Sequence, residues 1–478
     1  MTFDHQVVAG AFIEILGEGG VLRSASDLRP YDEAARYAGG SAALVLRPKT
    51  TTEVSETVAY SLEKGLRLVP QGGNTGLVGG STADSSGEQI VLSLERMSSL
   101  SFDVVNRTVR VQAGARLSSV NAALAEDGLF LPIDLGADPT VGGMAATNAA
   151  GARYIRYGDM RRQVFGLQVV LADRQGTVLE LRRGLRKDNT GLDLRQLFIG
   201  SGGALGIITE VEFEAQPRPR QTAAALVVLQ DFEAALPLLR HLEQEVGELL
   251  AAFEGMSRPA VVAALEHIPG LRDPFRGDVA PYVVLIELAS AMPASALALS
   301  AVLETCLGEW LETAGDCAVD VLVGAPEQMW SLRHALSEGL RSKGRVVGFD
   351  LAFRRSDLPA FRRAALQCLG RDFPEFVVCD FGHIGDGGLH FNLVCDRNTE
   401  LAASRMTALR ERVYGLAVGE FGGSFSGEHG IGRENWPYYR TFTPPSVQDL
   451  ASRVEAAIAE GPMGSVQFSG ASRDPGRA

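Results

Sequence analysis

Three of the seven histidines fall inside two short glycine-rich segments, and a glutamate stands directly beside one of them. The first segment is Phe381-Gly382-His383-Ile384-Gly385-Asp386-Gly387-Gly388-Leu389-His390-Phe391-Asn392. Asp386-Gly387 is a favoured two-residue hairpin turn, and counting outward from it pairs 385 with 388, 384 with 389, and His383 with His390. Directly opposed side chains have Cβ atoms about 5 Å apart, near enough for one metal ion to bridge two imidazoles. Strand alternation puts Asn392 on the face of His390 and turns Leu389, Phe391 and Leu393 to an apolar face. The second segment, Gly422 to Gly432, carries Glu428 and His429 side by side. His383, His390 and Glu428 make a two-histidine, one-carboxylate set that leaves coordination positions open for a divalent ion, zinc or manganese. Such an ion lowers the pKa of a hydroxyl bound to it. His429 is the candidate general base, since imidazole titrates nearest neutrality. A lone histidine beside a glycine turn reads better as a satisfied structural residue; three histidines and a glutamate in two such loops favour a site.

The elements that must position these groups are punctuated by glycine, 54 of 478 residues, against a usual share of about 7%. Beyond the two segments above, glycine gathers at 72–80, 136–151 and 200–206. Pro70-Gln71-Gly72-Gly73-Asn74-Thr75-Gly76-Leu77 follows a strand-like run directly, so its amides can turn inward as a nest for an anion such as pyrophosphate. No Gly-Lys-Ser/Thr follows, which excludes a Walker loop, and no clean G-x-G-x-x-G opens a helix. Gly200 to Gly206 leads into the strand IITEVEFE instead of a helix.

Residues 1–40 read as a helical lead-in containing VVAGAFIEILG. From Ala42, ALVLRP, a helix TTEVSETVAYSLEKG opened by a threonine cap, and LRLVP form a strand–helix–strand unit. QIVLSL, TVRVQAG, VFGLQVVLAD and GIITEVEFEA continue the mixed pattern up to Pro217-Arg218-Pro219-Arg220, a domain boundary. A second domain alternates helices such as DFEAALPLLRHLEQEVGELL with the strands PYVVLIELA, EFVVCDFGH and LHFNLVCD. The reading is α+β: a first domain over 41–219, a second over 220–465 whose last helix has the option of returning to the first, and a frayed tail over 466–478.

PQGGNTGLVGGS, ADPTVGGMAATNAAG with RYGD, and DNTGLDLRQLFIGSGGALGIITEVEF together resemble the FAD-binding domain of the vanillyl-alcohol oxidase and p-cresol methylhydroxylase (PCMH) superfamily. The resemblance implies a two-domain flavoprotein with a PCMH-type FAD-binding domain followed by an α+β substrate domain. Carried over, it assigns cofactor contacts to Pro70, Gly72, Gly73, Asn74, Thr75, Gly76, Leu77, Asp138, Thr140, Gly142, Gly143, Thr147, Asn148, Gly151, Gly206 and Ile207. H-x-G-D-G-x-x-H-x-N and S-x-E-H-G-I-G are similar to segments of its D-2-hydroxyacid dehydrogenase branch, which includes D-2-hydroxyglutarate and D-lactate dehydrogenases and the glycolate oxidase flavoprotein subunit. The branch implies a 2-hydroxy acid chelating the metal, hydride transfer to non-covalent FAD, and catalytic roles for His429, Arg333, Asn392 and Ser337. Arg333 would grip the substrate carboxylate, a task suited to a guanidinium. It also implies an electron-transfer flavoprotein or a quinone as acceptor. Gly348 falls where the hydroxyglutarate enzymes usually carry a lysine, which keeps open a D-lactate-like or larger 2-hydroxy acid, and a partner-dependent subunit remains a rival.

Composition narrows the rest. The formal charge of −13 and pI near 5.2 disfavour nucleic acid as main partner. Five cysteines without C-x-x-C spacing fit a reducing cytoplasm. The apolar stretch Tyr282 to Leu303 contains Glu287 and Pro293 and reads as a buried strand and a helix, not a membrane span. A homodimer is left open.

Overall fold

A computed structural model describes residues 5–34, 36–37, 39–182 and 184–468. Of the tail expected over 466–478, residues 469–478 lie outside the described residues. The chain separates into two compact units, Met1–Ala149 with Asp159–Pro217 and Glu428–Ala478, and Ala150–Gly158 with Arg218–Gly427. The boundary at Pro217 falls in the proline-rich run. The second unit, however, ends at Gly427 instead of residue 465, and it also takes in 150–158.

In the first unit, strands Leu44–Leu46 and Arg67–Gln71 pair in parallel with Gln89–Ser93, and the helix Thr51–Glu63 makes the crossover. That helix starts where it does because the Thr50 side chain accepts the Glu53 amide at 3.1 Å. Its buried residues Val54 and Val58 are one turn apart and pack with Leu44, Leu46, Leu68, Ile90 and Leu92. A five-stranded antiparallel sheet follows, in the order Leu100–Asp103, Thr108–Gln112, Gly206–Glu214, Val164–Leu171, Val178–Leu181.

The second unit is built on one antiparallel sheet of eight strands. Its centre, Tyr282–Ser290, is buried at every position, as its run of β-branched and large apolar residues requires. Ala224, Leu226, Ala252, Met256, Val283 and Leu285 present one face of that sheet to the helices Arg258–His267 and Pro326–Lys343. Glu287 sits on this buried face, where Arg153 Nε (2.9 Å) and Trp330 Nε1 (2.7 Å) donate to its carboxylate. Two largely apolar strands, each carrying one buried acid, flank the site described next: Leu250–Ser257 pairs with Phe381–Gly382 through Gly255–Gly382 and Met256–Phe381, and Arg345–Ala352 pairs with Gly388–Cys395. All five cysteines are free thiols. Among the described residues no helix is long and apolar enough to cross a membrane.

The hairpin register differs from the one counted on the sequence. Phe381, not His383, is the strand partner of His390. A two-residue turn of that type needs φ above zero at both central residues; Gly387 has φ +97°, but Asp386 is not among the residues with positive φ. The chain makes a wider loop instead. The His383 carbonyl accepts the amides of Asp386 (3.1 Å) and Gly388 (3.0 Å), and Asp386 Oδ1 accepts Gly388 N at 2.8 Å. The strand expected over EFVVCDFGH is likewise broken at Cys379-Asp380, because the Asp380 carboxylate turns to Arg362 (2.8 and 3.1 Å) while its carbonyl accepts Ser257 N.

Candidate active site

In the first unit the segment after Gln71 is drawn against the turn that opens the helix Val141–Thr147. A Cβ at Gly72 would lie 2.3 Å from Thr140 Oγ1, so only glycine permits that approach. Asn74, in the left-handed region at φ +53°, is held by its side chain, which donates to the Glu33 carbonyl and accepts from Ser81 Oγ. Among the described residues, the backbone amides of Gly72, Gly73, Asn74, Thr75, Gly76 and Leu77 donate to no protein acceptor. Successive unpaired amides on a glycine loop fit the pyrophosphate of FAD. The amides of the neighbouring helix do not contribute in that way: Val141 N and Gly142 N donate to the carbonyls of Ala115 and Ala113, and Gly143 N to Thr140 Oγ1.

The remaining expected contacts divide by role. Thr140 is the buried cap of that helix, Thr147 Oγ1 donates to the Gly143 carbonyl, and Asn148 bridges Asp159 and the Arg161 amide. Asp138 accepts the Ser118 amide and hydroxyl. Pro70 is packed under Gly203. Gly206 opens its strand with φ +158°, and the Ile207 side chain is core, which leaves only its backbone for a ligand. Gly151 belongs to the second unit, on the segment 150–158, apart in grouping from the other cofactor residues.

Glu428 and His429 also belong to the first unit. His429 Nε2 is 3.8 Å from Glu428 Oε1, and both residues are half-buried. The helix that follows them, Gly432–Phe442, ties this segment to the end of the glycine loop, with Arg433 donating to Thr82 Oγ1 at 2.7 Å and Glu434 N to the Val78 carbonyl at 3.1 Å.

In the second unit His383 and His390 meet edge to face, with Nε2 atoms 3.2 Å apart. Two imidazole nitrogens on one tetrahedral ion, each about 2.05 Å from it, stand about 3.3 Å apart, so the pair fits a shared metal. The wider loop thus yields the juxtaposition expected of the tight turn, by a different register. Asn392 is buried on the same strand, its Nδ2 donating to the His390 carbonyl at 3.2 Å. Arg333, on the helix Pro326–Lys343, lies over the Phe381 ring (4.9 Å). Ser337, one helical turn beyond it, is exposed.

Two carboxylates complete this face, and neither was singled out from the sequence. Glu254 is fully buried in Leu250–Ser257; its Oε1 is 2.7 Å from His383 Nδ1 and its Oε2 accepts Arg333 Nε at 2.7 Å. Burial pushes its pKa up, but the hydrogen bonds from His383 and Arg333 and the Arg333 guanidinium beside it hold its carboxyl below the usual carboxylate range. Asp350 is the cross-strand partner of His390, with Oδ1 4.0 Å from His390 Nδ1. The only sequence signal for either was a single acid inside an apolar strand, AAFEGMS and VVGFDLA, which a buried partner must justify.

Residues 42–182 match the FAD binding domain family, and 218–458 match the FAD linked oxidases, C-terminal domain. The chain is 37% identical to the mitochondrial D-2-hydroxyglutarate dehydrogenase of Bos taurus over 456 residues, covering 94% of this chain and 80% of that protein. It is 35% identical to the D-2-hydroxyglutarate dehydrogenase of Xanthomonas citri pv. viticola, covering 85% of each. It is also 35% identical to a putative mitochondrial D-lactate dehydrogenase of Schizosaccharomyces pombe, covering 84% of this chain and 76% of that one. The fold is that of p-cresol methylhydroxylase solved with substrate bound, at TM-score 0.71 and 15% identity over 96% of this chain and 95% of that one. Two domains that each match an FAD-linked oxidase family, a glycine loop with unpaired amides and a histidine-rich sheet face therefore coincide, and the chain belongs to the FAD-linked oxidases, in the family of the D-2-hydroxyglutarate dehydrogenases.

Proposed function

We propose that the protein oxidises a D-2-hydroxy acid, D-2-hydroxyglutarate-like or D-lactate-like, to the 2-oxo acid. The observation that carries this reading is the grouping of His383, His390, Glu254 and Arg333 on one buried face of the second unit. When bound, FAD supplies the hydride acceptor and a divalent ion supplies Lewis acidity toward the substrate hydroxyl. His383 and His390 would hold that ion through Nε2, with Glu428 as the carboxylate of the set. Arg333 spends Nε on Glu254; among the described residues its two terminal nitrogens donate to no protein acceptor, which leaves the fork that binds a carboxylate bidentately. Bound this way, the acid presents its hydroxyl and its carbinol C–H in one fixed orientation. His429 takes the hydroxyl proton as the C–H bond gives up its hydride, and a 2-oxo acid results. The support for Glu428 and His429 is their motif and its attachment to the glycine loop.

Strand alternation places Gly348 on the same face as Asp350, opposite Asn392, so this face carries no added cation there for a distal carboxylate. The test is the anaerobic absorbance of the FAD-loaded protein mixed in turn with D- and L-lactate, D- and L-2-hydroxyglutarate and larger 2-hydroxy acids. Bleaching by a D-acid and not its L-form is expected. Flavin that stays oxidised with every 2-hydroxy acid would refute the proposal.

A further inference from the structure

We propose that Glu254 is the positioning residue of this site, a single buried carboxylate that orients the metal-binding His383 with one oxygen and the substrate-binding Arg333 with the other. The inference rests on the reading of those two residues given above. An ionised carboxylate only accepts hydrogen bonds. With Oε1 2.7 Å from His383 Nδ1, the ring proton is therefore held on Nδ1, and the Nε2 lone pair is left facing His390, 3.2 Å away. Carboxylate–histidine pairs of this kind fix both tautomer and ring orientation of a metal ligand. The second oxygen takes Arg333 Nε at 2.7 Å, and the Phe381 ring covers the guanidinium face, so the plane of the fork is set from two directions.

The fold makes the arrangement stiff. Glu254 sits in the strand that pairs with Phe381–Gly382, immediately before the loop carrying His383. Its side chain is 1% exposed, so water does not stand in for either partner. Because both ligands lean on one carboxylate, metal binding and carboxylate binding are linked. Glutamine in its place has one accepting oxygen and one donating nitrogen. If the nitrogen faces His383, it forces the proton to Nε2 and removes the metal's lone pair; if it faces Arg333, donor meets donor and the fork turns away.

The experiment uses the FAD-loaded full chain, stripped with chelator and titrated calorimetrically with Zn2+ and Mn2+, for wild type, Glu254→Gln and Glu254→Asp. KM and kcat for the 2-hydroxy acid that bleaches the flavin are measured at saturating metal. The expected result is metal affinity about 10- to 100-fold weaker in Glu254→Gln, with KM raised about 10-fold or more and kcat within a few-fold. A role confined to packing would lower Tm and leave metal affinity and KM alone; that outcome overturns the inference. If Glu254→Gln does not fold, Glu254→Asp decides: it keeps the charge but is one methylene short of spanning both partners, so unchanged metal affinity and KM overturn the inference. Wild-type protein that takes up no ion overturns both the metal assignment and this inference, whereas tight wild-type binding with an unaffected Glu254→Gln overturns only the latter.

Discussion

Arg333 is where recognition and stability compete at the scale of one residue. Its guanidinium is largely buried, and its partner Glu254 is more so. Removing one member of a buried charge pair costs about 3–5 kcal/mol, mainly because the other charge is left unpaired. Arg333→Ala therefore mixes lost binding with lost stability. Arg333→Lys separates them: an ammonium still neutralises Glu254, but a point charge cannot grip a carboxylate with two parallel bonds. We expect Arg333→Lys to raise KM about 10-fold or more with a small change in Tm, read by steady-state kinetics and thermal melting; an unchanged KM would remove Arg333 from substrate binding. His383 and His390 were legible because a residue type present only seven times stood in recognisable segments, and Arg333 only through the family resemblance. Glu254 and Asp350 were not, since an acid amid apolar strand residues acquires a meaning only when the strand's neighbours are known, and those come from 79 residues away in the pairing 254–333 and from 40 away in 350–390.

At the scale of the element, the loop from His383 to Gly387 fixes the geometry of the two histidines. Its left-handed position is Gly387, at φ +97°, and a Cβ there would stand 2.2 Å from the Phe353 carbonyl oxygen. That carbonyl cannot easily retreat, because Phe353 N donates to the Gly387 carbonyl at 2.9 Å. Backbone strain of this kind costs about 1–3 kcal/mol before any clash is counted. Gly387→Ala should therefore lower Tm and, by shifting the loop against His390, weaken Zn2+ or Mn2+ binding; melting together with metal titration checks both, and full metal affinity would detach the loop from the site. The start of the helix Thr51–Glu63 was readable because capping is a local contest between a threonine oxygen and nearby amides. The register of the histidine hairpin was not, because Asp386 had an alternative use for its side chain, accepting Gly388 N, that turn statistics do not weigh.

At the scale of the whole molecule, the chain returns after Gly427 to the unit in which it began. This return was open in the sequence but its starting point was not, since nothing in Ser426-Gly427-Glu428 marks a boundary by composition. The returning segment is structural as well as chemical. Met463 is buried in the core with Leu44, Val54 and Leu68, while Val454 and Ile458 pack against the second core of the same unit. Gly464 N donates to the Leu68 carbonyl at 2.9 Å and Ser465 Oγ to the Gly80 carbonyl at 2.8 Å, which pins the segment to both ends of the glycine loop. Burying one methionine side chain alone contributes about 1.5–3 kcal/mol, and losing the segment would also unpair Thr82 from Arg433. A chain ending at Gly427 should therefore lose retention of FAD on gel filtration and melt at a lower temperature than the full chain, although every residue of the 72–77 loop is still present. Retained flavin in that truncated chain would mean that the glycine loop holds its shape without the returning segment, and that the segment's part is confined to Glu428 and His429.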